Sequence, residues 1–157
     1  MRSAFFDAKR VLIRGTAAGL ASAIALIVCS RRETGSPFAA INAVSHWAWG
    51  DADARRDDWT WRHTALGALT HEVAAIFWAI CYERMFAKRR RRPSALQLVS
   101  EGTATSALAC AIDYTITPKR FTPGYELRLS KASLAVIYMA FATGLVVGSL
   151  LLPADKR

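Results

Sequence analysis

Apolar residues in this chain gather into four long runs, at residues 11–30, 64–86, 94–117 and 130–152, separated by intervals rich in charge, proline and tryptophan. Each run holds about 20 residues or more, the length that a helix rising roughly 1.5 Å per residue needs to cross about 30 Å of hydrocarbon. A lone strand would leave its backbone N–H and C=O groups unpaired in lipid, so the runs predict helices. The pattern predicts an all-α polytopic membrane protein, a single transmembrane domain over 1–157 with four transmembrane helices in a bundle.

The first run follows Arg2, Lys9 and Arg10, the order of a secretory signal peptide. No small-x-small cleavage site follows it, and Val28 is too large to precede a lipoprotein cysteine at Cys29, so the run reads as a retained helix. The interval from 31 to 63 predicts more structure than a linker. Ser36 before Pro37 is a helix start and Gly50 a helix stop, which predicts a short interfacial helix over about 37–49. His46, Trp47, Trp49, Trp59 and Trp61 would then form an interfacial belt at headgroup level. In the interval after the third run, Pro118, Pro123 and Gly124 predict ordered turns.

Composition agrees with this reading. The 157 residues are 53% hydrophobic and 21% charged, and the charges cluster between the apolar runs. Lys88, Arg89, Arg90, Arg91 and Arg92 supply five charges toward the net +9. By the positive-inside rule this hinge faces the cytoplasm, where it would attract anionic lipids, and both termini face the same way. Arg31, Arg32, Arg55, Arg56 and Arg62 in the first outer interval oppose that orientation, although Glu33, Asp51, Asp53, Asp57 and Asp58 lie among them. Nucleic acid is not an expected partner, because no basic module interleaved with aromatic residues is present. Cys29, Cys81 and Cys110 stand singly in apolar segments, as small buried residues rather than a disulfide or zinc framework.

Small residues recur every fourth position at Gly15, Gly19 and Ala23 and at Ala140, Gly144 and Gly148. Such spacing lets helix backbones approach closely. It predicts internal packing of the bundle, with a homo-oligomer or a membrane-complex partner through either face as the alternative.

Ionisable residues inside the runs are costly in lipid and are therefore candidate functional groups. Arg14, Glu101 and Glu83 fall about 8 to 12 Å to the cytoplasmic side of the midplane. They predict an inner ion pair, Arg14 with Glu101 if the first and third helices are neighbours, and Glu83 with Arg84 or the basic hinge. On the outer side, His71 and Glu72 lie about 5 to 6 Å and Asp113 about 10 Å from the midplane, with Tyr138 at comparable height. His63 and His71 share one stripe of the second helix through Gly67. The set His63, His71, Glu72, Asp113 and Tyr138 is either a satisfied polar network or a site for protons or a cation. His71, Glu72 and Asp113 could ligate zinc or iron, but adjacent residues on a helix point about 100° apart, and no HExxH or ExxH spacing occurs. No nucleophile elbow or phosphate-binding glycine loop is present, so no catalytic residue is assigned, and the sequence names no cofactor.

The stretches NAVSHWAWG at 42–50 and DYTITPKRFTPGYE at 113–126 resemble segments of small, uncharacterised four-helix inner-membrane proteins of proteobacteria. The resemblance implies a bacterial inner membrane as the location and brings no activity or site residues with it. Together these features predict a non-enzymatic accessory or structural component of a membrane assembly. The alternatives are a proton- or cation-conducting protein using the outer cluster and a membrane-embedded metal-dependent enzyme.

Overall fold

The computed structural model describes residues 8–86 and 93–152, and all regular structure among them is helical. Four long helices lie side by side: α1 (Ala8–Thr34), α4 (Leu66–Met85), α5 (Ala95–Thr115) and α6 (Lys131–Leu150). Two short ones, α2 (Ala39–Val44) and α3 (His46–Trp49), follow α1. The long helices match the four apolar runs to within a few residues. Of the four, α1, α6 and the stretch Trp61–Met85 that contains α4 are long and apolar enough to cross a membrane. The fourth, α5, carries Gln97, Glu101, Thr103, Thr105, Ser106 and Asp113 along its length and falls below that standard.

α1 outruns its apolar segment because Arg31 and Arg32 occupy its last turn, where the helix dipole favours cations. Gly35, at φ +81°, then ends it. α5 opens on a capping box of Ser94 and Gln97, and α6 on Ser130. The Ser130 N–H and hydroxyl both donate to the Glu33 carboxylate, each at 2.7 Å, so the end of α1 fixes the start of α6.

The single interfacial helix expected over 37–49 is two helices that part at Ser45. The Ser45 hydroxyl and N–H both turn back to the Asn42 carbonyl, at 2.7 and 2.9 Å. All six residues of α2 are buried, so this segment does not lie flat in an interface. An apolar helix of Ala39, Ala40, Ile41, Ala43 and Val44 has no wet face to offer, and it sinks against α1 and α4 instead. Gly67 makes room for it: a Cβ there would stand 2.0 Å from the Ile41 carbonyl oxygen. Asn42, the one polar residue of α2, gives its Nδ2 to the carbonyls of Arg56 and Asp58 and accepts from the Thr64 hydroxyl at 2.7 Å. It thereby ties the loop before α4 to the bundle.

α1 is the central helix, packed on α4 and α6. The glycines of both small-residue faces take part in that packing. Gly15 and Gly19 admit Ile76 and Glu72 of α4, while Gly144 and Gly148 lie on Ala18 and Arg14 of α1. α5 packs chiefly on α6 and only lightly on α4, so α4 and α5 stand apart along one side. Lys88, Arg89, Arg90, Arg91 and Arg92 lie outside the described residues.

Candidate functional site

The polar residues of the long helices fall into two groups at different levels. At the end of the bundle that joins α4 to α5, Arg14 forms an ion pair with Glu83, with the two side chains 7% and 12% exposed. Arg14 Nε donates to Ser149 Oγ at 2.8 Å, and the guanidinium lies 5.2 Å from the Tyr82 ring centre. Tyr82 in turn donates to Glu101 at 3.2 Å. The expected pairing is thus redistributed: Glu83 holds Arg14, and Glu101 joins the network through Tyr82. The reason is the close packing of α4 on α1 at Gly15, which brings the next turns of α4 over Arg14.

The second group lies toward the loops. Ser22 Oγ on α1 lies 2.8 Å from the Ala18 carbonyl oxygen and forms a hydrogen bond with His71 Nε2 at 3.0 Å. Tyr138 on α6 donates to Asp113 Oδ2 on α5 at 2.6 Å, and its ring meets Tyr114 edge-on with centres 6.2 Å apart.

The five residues expected to form one outer cluster divide. His71, Asp113 and Tyr138 line a common cavity, whereas Glu72 turns toward α1, its Oε2 lying 2.1 Å from where a Cβ on Gly19 would be. His63 is buried beside Thr60, whose hydroxyl meets its Nδ1 at 2.9 Å. Among the described residues no three His, Cys, Asp or Glu side chains gather as metal ligands would, and His71, Glu72 and Asp113 are not brought together.

The cavity occupies the gap between α4 and α5 and has a volume of about 450 Å3, within the range of small-molecule sites. It extends from the loop layer at Trp47, Phe121 and Pro123 down to Trp78, Ala109 and Phe141 in the middle of the bundle. Among its polar groups, Ser22, His71, Asp113, Tyr125 and Tyr138 belong to the loop-side half. On its open side stand Val73 and Phe77 of α4, 57% and 55% exposed. The geometry suits an amphipathic molecule, with its polar part near the loops and its apolar part toward the bundle centre.

The loops that follow α1 and α5 roof this site. Gly124 has φ +89°, and a Cβ on it would stand 2.5 Å from both the Ala43 carbonyl oxygen and His46 Nδ1. Only glycine lets the turn after α5 settle on α2 and α3. That turn delivers Tyr125, whose burial holds its phenol protonated and well above the ordinary tyrosine range. Trp47 donates to the Thr122 carbonyl at 2.7 Å and packs edge-on against Phe121.

The residues expected in the interfacial belt differ in exposure. Trp47, Trp49, Trp59 and Trp61 are exposed, Trp61 most of all at 77%, and Arg62 lies over the Trp49 ring at 4.1 Å. His46 does not belong to it: it is 1% exposed, with Nδ1 2.8 Å from the Ala43 carbonyl, because α3 turns that side inward beneath Gly124.

Sequence reasoning passed over Ser22, Tyr125 and the aromatic wall. A signal for the wall existed, since His71, Ala75 and Trp78 stand at i, i+4 and i+7 on one face of α4. No protein family, curated protein or solved structure matches the chain, so the site is read from its own geometry.

Proposed function

We propose that this is a four-span protein of the bacterial inner membrane, with both termini and the basic hinge in the cytoplasm. It acts without catalysis, as an accessory component that holds an amphipathic small molecule between α4 and α5. The observation that carries this reading is the aromatic cavity with His71, Asp113 and Tyr138 in its loop-side half. Four spans follow if α5 keeps company with its neighbours. Glu101 joins Tyr82 of α4 near one end of α5, Asp113 joins Tyr138 of α6 near the other, and so α5 covers the depth that α4 and α6 cover. Its polar residues are tolerable in lipid because several are satisfied within the protein, as Ser106 is by the Tyr138 carbonyl at 2.6 Å. The bacterial inner membrane rests on the resemblance of the segments at 42–50 and 113–126.

Binding is favoured over conduction by the separation of the two polar groups. From Glu72 to Glu83, roughly 16 Å along α4, the helix carries only apolar residues, cysteine and a tyrosine. Ala18, Ala75, Trp78, Phe141 and Leu145 pack together between the two levels. A proton path from His63, His71, Glu72 and Asp113 to Glu101 or Glu83 would have to pass that layer.

Native mass spectrometry of the purified protein after exposure to extracted membrane lipids tests the reading. One bound amphiphile per chain is expected for the parent and none for Ala74→Trp, which fills the cavity. Adducts that survive Ala74→Trp in a protein with unchanged melting would overturn it.

A further inference from the structure

Resting on that reading, we infer that the cleft between α4 and α5 selects lipophilic organic cations. The lining contains one carboxylate, Asp113, and, among the described residues, no lysine or arginine. Asp113 also has no ion-pair partner among them. Its Oδ2 accepts from Tyr138, which fixes its direction, and a cation seated beside it would itself favour the carboxylate form.

The same cavity that Asp113 lines is walled by the aromatic side chains of Trp47, Phe77, Trp78, Phe121, Tyr125 and Phe141. Aromatic faces carry negative potential and attract cations, most strongly where water is excluded, and such cages recognise quaternary ammonium groups. An anion of the same shape meets the opposite: ring faces and a carboxylate that both repel it. A neutral apolar molecule gains the burial and nothing from Asp113. The site therefore discriminates by charge while its volume and walls accept many shapes. Entry is from the side, past Val73 and Phe77, which suits a solute that already partitions into membranes.

The test uses two ions of nearly the same size and shape and opposite charge, tetraphenylphosphonium and tetraphenylborate. Each is titrated into the full chain in nanodiscs while tryptophan fluorescence is followed, with Ala74→Trp providing the non-specific background. The parent is expected to bind the phosphonium roughly tenfold or more tighter than the borate. Asp113→Asn, with melting unchanged, is expected to abolish that preference, and Tyr138→Phe to weaken it. If Asp113→Asn does not fold, Tyr138→Phe and the parent's preference still decide. Equal binding of the two ions by the parent, or a preference that survives Asp113→Asn, overturns the inference. Should neither ion bind above background while a neutral amphiphile is still excluded by Ala74→Trp, selection for cations fails and the binding cavity stands. If no amphiphile of any charge is affected by Ala74→Trp, both fail.

Discussion

A guanidinium at membrane depth is tolerable only if its surroundings replace water, and Arg14 meets that condition with Glu83, Ser149 and the Tyr82 ring. Arg14→Ala leaves the Glu83 carboxylate buried without the guanidinium, and about 3 to 5 kcal/mol of stability should be lost. The double variant Arg14→Met with Glu83→Leu should recover most of it, because removing both charges also removes their desolvation cost. Thermal unfolding in detergent measures both, and a double variant no better than the single one would contradict this account. Asn42 has a different role. Asn42→Leu strips the carbonyls of Arg56 and Asp58 and the Thr64 hydroxyl of their partner, at about 1 to 3 kcal/mol. Faster tryptic cleavage after Arg55 or Arg56 should report the loosened loop. Asn42 was not singled out in the sequence, whereas Arg14, Glu83 and Glu101 were visible there as costly polar groups at given depths. Their partners were not, because depth along a helix carries no information about which neighbour that face meets. Arg14 and Glu101 are nearly level, yet Glu83 faces α1 directly.

Long helices are set by apolar length, and all four were legible to within a few residues. Their ends depended on local chemistry that could also be read, such as Ser94 with Gln97, or Gly35 after Arg31 and Arg32. The break at Ser45 was not legible, since Ser36–Pro37 and Gly50 bracket one helix as well as two, and only burial on every side of α2 forces the change. The small-residue stripes announced close packing without saying against what. Gly144 now makes a definite prediction: a Cβ there would stand 2.4 Å from Ala18 Cα and 2.5 Å from the Ala17 carbonyl oxygen. Backbone cannot give way as a side chain does, so Gly144→Ala should cost about 1 to 3 kcal/mol, whereas Met139→Leu on the exposed face of the same helix should be neutral. Glu33→Gln weakens the carboxylate cap over Ser130 and should lower stability by about 1 kcal/mol. Parallel melts of these three variants check the order.

At the scale of the whole molecule, unequal packing generates the cavity. α1 draws α4 and α6 to itself through glycine contacts, α5 follows α6, and α4 and α5 are left apart with His71 and Asp113 on the two sides of the gap. The sequence showed the titratable groups at matching depth. It could not show the gap, which is a property of how four helices share neighbours. The proposed role needs that gap to lie within the bilayer, and so it needs α5, the least apolar of the four, to cross. The direct test is cysteine labelling in right-side-out spheroplasts, in a background with Cys29, Cys81 and Cys110 replaced, using a maleimide that cannot pass the membrane. Lys119→Cys should react at once, and Ser94→Cys only after the membrane is opened. Reaction of both from the same side would show that α5 does not cross and would contradict the four-span account.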